Sequence, residues 1–146
     1  MSSIAEYRSR LASKHGIEMG GPSSSFSASG EFPIYDVLGS LDNCIYSRNT
    51  IWTGATRQLL DDSYRYHPAK PSGRLIIADA TDLRPISNAS YECVLACHCL
   101  EHVANPLRAL REWKRVLKEN GLLMLVLPHK DGTFDWRRPP TPLSHM

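Results

Sequence analysis

No apolar stretch in this chain is long enough for a membrane. The longest, Leu122–Leu127, is the size of a strand, whereas a spanning helix needs ~18 or more apolar residues. The first residues, Met1–Leu11, alternate charge and polarity and lack the apolar core of a secretory signal. Cysteine is scarce: Cys93, Cys97 and Cys99 crowd together, Cys44 stands alone, and no C-x-x-C pair occurs. That spacing argues against a disulfide framework and gives little support to a metal site through Cys97, His98, Cys99 and His102. Reduced, mostly buried thiols and a cytoplasmic address are the expectation. An excess of one charge is also missing. Seventeen Lys+Arg face fifteen Asp+Glu, a net of +2, which predicts neither nucleic acid nor a membrane surface as partner.

What remains is an ordinary globular composition, with 42% hydrophobic and 22% charged residues in 146. Such a length holds one domain, residues 1–146. Ser3 to His15 reads as a helix, with a Ser3/Glu6 capping box and Ile4, Tyr7 and Leu11 on one face. The short stretch Ile17-Glu18-Met19 runs into Gly20-Gly21-Pro22, and the serines from Ser23 to Ser29 read as loop. Leu41–Tyr46 is a strand candidate. A helix is expected over Thr53–Tyr66, with Leu59 and Leu60 inward and Pro68 and Pro71 beyond it.

The second half is more strongly patterned. Leu75–Ala78, Tyr91–Ala96 and Leu122–Leu127 are apolar throughout, which suits strands covered on both faces of a parallel sheet. Between the last two, Asn105 as N-cap and Pro106 at the first helical position open a helix. Its stripe is Ala109, Leu110, Trp113, Val116 and Leu117, and Asn120-Gly121 supplies the stop. The pattern predicts an α/β, doubly wound, Rossmann-like sheet of about five parallel strands.

Ligands of such sheets bind beyond the carboxyl ends of the strands, so the residues after each strand are the candidates. Gly20 and Gly21 let a ligand approach the backbone, although an ordinary turn explains them equally well. They are not part of G-x-G-x-x-G, nor is there a Gly-Lys-Ser/Thr cradle, so a nicotinamide-dependent oxidoreductase is the least favoured reading. Asp42 lies at the interval where a carboxylate holds ribose hydroxyls in nucleotide-binding units; a solvated loop aspartate is the alternative. Asp79 follows a strand directly, placed to accept from an exocyclic amine or to cap the next turn.

These residues carry a resemblance. Glu18-x-Gly20-Gly21, Asp79-Ala80-Thr81-Asp82-Leu83 and Tyr91–Leu95 are similar to the class I S-adenosylmethionine-dependent methyltransferases. Leu100-Glu101-His102, Asn105-Pro106 and Arg115-Val116-Leu117-Lys118 with Gly121 resemble the type 11 group. The resemblance implies S-adenosyl-L-methionine as cofactor, with Glu18, Gly20 and Gly21 about its methionine part. It also implies Asp42 on the ribose, Asp79 and Ala80 on the adenine, and His98 bordering the transfer site. The group's usual Gly-x-Gly is Gly-Gly-Pro-Ser here, and Glu92 stands where Asp is usual.

Methyl transfer needs a base only when the acceptor is protonated. His98, His129 and Asp131 are the catalytic candidates, with His102 beside them, and Arg137 or Arg138 could clamp an anionic acceptor. The expected activity is methylation of a small molecule. The alternative is a catalytically inactive methyltransferase-like binding module, because the chain lacks the C-terminal antiparallel hairpin of the full family. An exposed edge at Leu122–Leu127 predicts self-association.

Overall fold

The computed structural model of the chain describes residues 3–48, 62–133, 136–142 and 144. Its centre is a sheet of β1 (His15–Met19), β2 (Ser40–Ile45), β3 (Ser63–Tyr64), β4 (Gly73–Ile77), β5 (Tyr91–Cys97) and β6 (Leu117–Val126). The spatial order is β3-β4-β2-β1-β5-β6. β4, β2, β1, β5 and β6 run parallel, and only the two-residue β3 pairs antiparallel, at one edge. This is the α/β, mostly parallel architecture that the apolar runs predict.

Two layers cover the sheet, one on each face. The first is α2 (Pro106–Val116), whose Ala109, Trp113 and Val116 pack on Ile17, Met19, Val94 and Ala96. Asn105 caps it, its Oδ1 accepting from the Arg108 amide at 2.9 Å. Burying Trp113 completely anchors this layer; truncating such a tryptophan typically costs about 3–5 kcal/mol.

The second layer is less regular. α1 (Ile4–Leu11) buries only Leu11, and the segment after β1 supplies Phe26, Ile34, Tyr35 and Leu38 against Leu41, Cys93 and Leu95. The serine-rich stretch thus reads correctly as lacking a regular helix of its own; it makes a single 3₁₀ turn, Ser24–Phe26. Its aromatic and aliphatic residues nonetheless close the face where a helix is usual.

Three boundaries differ from the sequence reading. The first helix ends at Leu11, so His15 opens β1 instead of closing α1. α2 stops at Val116, ahead of the left-handed Asn120 (φ 60°). Leu117 already pairs with Tyr91, and a register shift brings Leu122 opposite Cys93. Of the helix expected over Thr53–Tyr66, residues 53–61, with Leu59 and Leu60, lie outside the described residues, while Ser63 and Tyr64 form β3. No described helix is long and apolar enough to cross a membrane.

Candidate functional site

From β1 the chain winds outward through β2 to β4, then returns to β5 on the other side of β1. The strand order therefore reverses between β1 and β5, the switch point at whose carboxyl edge open α/β sheets place their ligand crevice. The Gly20–Ser23 turn leaves β1 at that edge, and Gly20 sits against the turn after β5. A Cβ built on Gly20 would lie 3.9 Å from the Cys99 sulfur. Gly20 has φ +82°, a conformation glycine adopts without strain.

The amides of this turn point into the protein. Gly20 N–H donates to the Cys44 carbonyl at 2.9 Å, and Gly21 N–H donates to Asn43 Oδ1 at 3.0 Å. The Asn43 side chain returns a bond to the Gly21 carbonyl at 2.9 Å. Ser23 N–H donates to Glu18 Oε1 at 3.1 Å. A pyrophosphate needs these donors turned outward, so the geometry is unsuited to a dinucleotide. A ligand without phosphate does not need them.

Glu18 lies beneath the turn and is wholly buried. Tyr64 donates to its Oε2 at 2.5 Å, and the Tyr35 hydroxyl lies 2.8 Å from the same oxygen. Burial pushes the Glu18 carboxyl up to about 7, against the bonds from Tyr64, Tyr35 and Ser23 that pull it down. Both oxygens are occupied, so in this arrangement Glu18 supports the turn from below. Gly21 completes the packing: a Cβ there would meet the Glu18 carboxyl at 2.3 Å and the Tyr64 hydroxyl at 2.5 Å.

Asp79 and Ala80 stand at the same edge, beyond β4. Asp79 Oδ1 accepts from both the amide and the hydroxyl of Thr81, each at 2.8 Å. The turn-capping alternative therefore accounts for one oxygen, and Oδ2 has no partner among the described residues. The Ala80 carbonyl accepts from Trp113 Nε1 at 3.0 Å, tying this loop to α2.

His98 follows β5 with φ +50°, in the left-handed region, a strained conformation for a residue with a Cβ. Its amide donates to the Val126 carbonyl at 3.0 Å, and its Nδ1 lies 3.3 Å from Glu101 Oε1. His102 Nε2 is 4.0 Å from that oxygen, so one carboxylate serves two imidazoles. His129 and Asp131 lie past β6, 3.6 Å apart, with side chains 84% and 78% exposed. The His129 Nδ1 also accepts from the Asp131 amide at 3.4 Å, capping the short turn Lys130–Gly132.

Asp42 is the correction. It sits in the amino-terminal half of β2, and its carboxylate accepts from the Arg74 amide at 2.8 Å, Arg74 Nε at 3.0 Å and the Tyr91 hydroxyl at 2.8 Å. Tyr91 opens β5 and Arg74 is near the start of β4, so the cluster lies at the edge opposite the crevice. Burial pushes the carboxyl up, but the bonds from Arg74 and Tyr91 outweigh it and leave Asp42 below the ordinary range. This is an ion pair near the start of the strands, on the side of the sheet away from the Gly20 turn. Among the described residues β2 leads out through Tyr46, Ser47 and Arg48, none of them acidic.

The sequence reading passes over Tyr35 and Tyr64 and marks Asn43 only as the neighbour of Asp42. Each acts through a partner remote in sequence. No group of three or more His, Cys, Asp or Glu side chains among the described residues is placed to hold a metal ion.

Comparison with known proteins decides the family. The family model described as a methyltransferase domain matches residues 53–125, half of the chain. The chain belongs to the methyltransferase-domain family. An uncharacterized protein of Methanocaldococcus jannaschii is 35% identical over 95 residues, which span 65% of this chain and 39% of that protein. Among solved structures, a SAM-dependent methyltransferase from Thermotoga maritima matches with TM-score 0.51 and 20% identity, over 84% of this chain and 48% of its own. The trans-methyltransferase CalH in complex with SAH matches with TM-score 0.54 and 15% identity, over 84% and 34%. At these identities the structures speak for the fold alone. The matched part of this methyltransferase domain spans less than two-fifths of the curated relatives' length.

The site's own features agree with an S-adenosylmethionine-type ligand. Gly20 is exposed and carries no side chain, and its amide and that of Gly21 are turned inward. Asp79 Oδ2 supplies an acceptor at the edge, and His98 stands beyond the next strand.

Proposed function

We propose that this methyltransferase domain binds S-adenosyl-L-methionine across the crevice between β1 and β5 and methylates a small-molecule acceptor. The observation that carries the reading is the Gly20–Ser23 turn. Its amides are spent on Cys44, Asn43 and Glu18, Gly20 is exposed with no side chain of its own, and it lies against Cys99 in the turn that carries His98.

The cofactor, when bound, supplies an activated methyl group on a sulfonium. Gly20 and Gly21 would accommodate its methionine part, and Asp79 with Ala80 would receive the adenine. Trp113, by holding the Ala80 carbonyl, fixes that loop before the ligand arrives. Such positioning is the main demand of an in-line transfer; alignment of reactants lowers barriers by up to roughly 7–11 kcal/mol. His98, oriented by Glu101, is placed to take a proton from an acceptor hydroxyl or amine. His129 and Asp131, at the exposed turn beyond β6, are second candidates for that role.

Calorimetric titration with S-adenosylhomocysteine tests the reading. One-site saturable binding that Asp79→Ala weakens at least tenfold is expected. No heat and no thermal stabilisation at millimolar ligand would overturn it.

A further inference from the structure

We infer that the protein carries a phosphate-binding site on the α2 side of the carboxyl edge, built from Arg84, Arg108 and Arg111. These arginines, with Thr81, Asp82 and Glu112, line a cavity of about 390 Å³. The site adjoins the Asp79–Thr81 turn and is distinct from the Gly20 crevice.

Charge accounting decides what the cavity accepts. Asp82 is already matched: Arg84 donates from Nε to its Oδ1 and approaches Oδ2 through the terminal guanidinium nitrogen, both at 2.8 Å. Glu112 is matched as well, taking two guanidinium bonds from Arg115 at 2.8 and 2.9 Å and the Leu83 amide at 2.8 Å. The bonds from Arg115 hold the Glu112 carboxyl below its usual range, so it stays charged and committed. Arg108 is left 4.0 Å from Asp82, with its side chain 61% exposed. Arg111 has no ion-pair partner among the described residues. Three guanidinium groups and two carboxylates thus line the cavity, with Arg115 reaching Glu112 from outside it, and the uncommitted guanidinium groups are those of Arg108 and Arg111.

Those two side chains are three positions apart on α2 and share a face. The first turn of the helix contains no acidic residue, so the positive end of its dipole adds to their field. Guanidinium forks match the tetrahedral oxygens of phosphate and are less hydrated than ammonium groups. The ligand class is therefore a phosphate group, either free or as a monoester.

Titration of the full chain with inorganic phosphate, phenyl phosphate and acetate at constant ionic strength tests this, followed by amide NMR shifts on α2. Saturable binding of phosphate is expected, at least tenfold tighter than acetate. Arg108→Ala/Arg111→Ala should weaken it tenfold or more, whereas Lys114→Ala, on the same helix outside the cavity, should change it less than twofold. Phenyl phosphate binding as well as phosphate identifies a monoester as the ligand, and phosphate binding alone identifies the free ion; both support the site. Binding that Lys114→Ala weakens equally, or acetate binding as tightly as phosphate, overturns it. S-adenosylhomocysteine affinity of the double variant reports on folding. Phosphate binding in a chain that ignores S-adenosylhomocysteine would sink the cofactor reading and leave this site standing.

Discussion

The Tyr64 hydroxyl donates to the Glu18 carboxylate at 2.5 Å, joining a two-residue edge strand to the central strand beneath the glycine turn. Burial, working against this bond, leaves Glu18 an acid whose proton is held to about pH 7. An unfolded glutamate ionises near ~4.3. Between those values the unfolded chain has released the proton and the native state retains it, so stability falls as pH rises, then levels above neutrality. From pH 5 to pH 8 the loss amounts to about 2–3 kcal/mol. Urea midpoints at pH 5 and pH 8 should differ by this amount more in the wild type than in Glu18→Gln, which has nothing to titrate there. Equal pH dependence in the two proteins would show that Glu18 is not the group responsible.

Gly20 and Gly21 should respond differently to alanine. At Gly20 the added methyl meets only Cys99, at 3.9 Å, and the cost is the positive φ, about 1 kcal/mol. At Gly21 it collides with the Glu18 carboxyl and the Tyr64 hydroxyl; overpacking of this kind costs about 2–3 kcal/mol. Thermal melts of the two variants should show Gly21→Ala as the less stable. Titration with S-adenosylhomocysteine should show both weakened.

Much of this arrangement can be read from sequence, for a definite physical reason. β5, β6 and α2 announce themselves because each makes its own statement locally: unbroken apolar runs, or Asn105-Pro106 followed by a stripe of period 3.6. The turn after Met19 and the edge position of Asp79 follow from where those strands stop. Spacing along the chain does not say which end of a strand Asp42 serves. That was settled by Arg74 and Tyr91, both distant in sequence. Tyr35 and Tyr64 escaped notice for the same reason, since a tyrosine in a loop or a two-residue strand gives no local sign that it will bond a buried acid. The serine-rich stretch correctly lacks a helix, yet its Phe26 and Ile34 cover a sheet face that periodicity alone leaves open.

Trp113 connects core and site through a single bond to the Ala80 carbonyl. Trp113→Phe keeps most of the packing and removes the donor, leaving a buried carbonyl unmatched, at about 1–3 kcal/mol. If Ala80 receives the adenine, the variant should also lose severalfold in S-adenosylhomocysteine affinity at a temperature where it remains folded. A variant that is less stable but binds normally would show the loop to be fixed by other contacts.

Asp42 offers the sharpest separation between a structural and a ligand-binding role. Its carboxylate is 4% exposed and engages Arg74, itself 71% exposed. Removing the acid strands the Tyr91 hydroxyl and the Arg74 amide at a buried position. The charge left behind, on Arg74, stays in water, so the loss is that of the bonds themselves, about 1–3 kcal/mol, and Asp42→Ala should melt below the wild type. The wild type has its own acid signature. Because the folded-state value is depressed, the stabilisation is full above the unfolded aspartate's ~3.9 and drains as pH falls through the native value. Asp42→Ala should lack that component of acid unfolding. Its affinity for S-adenosylhomocysteine, measured cold enough to keep it folded, should stay within twofold of the wild type, because the cluster lies at the edge of the sheet opposite the crevice. A tenfold loss of affinity in a folded Asp42→Ala variant would return this residue to the ribose and require the crevice to be redrawn around the start of β2.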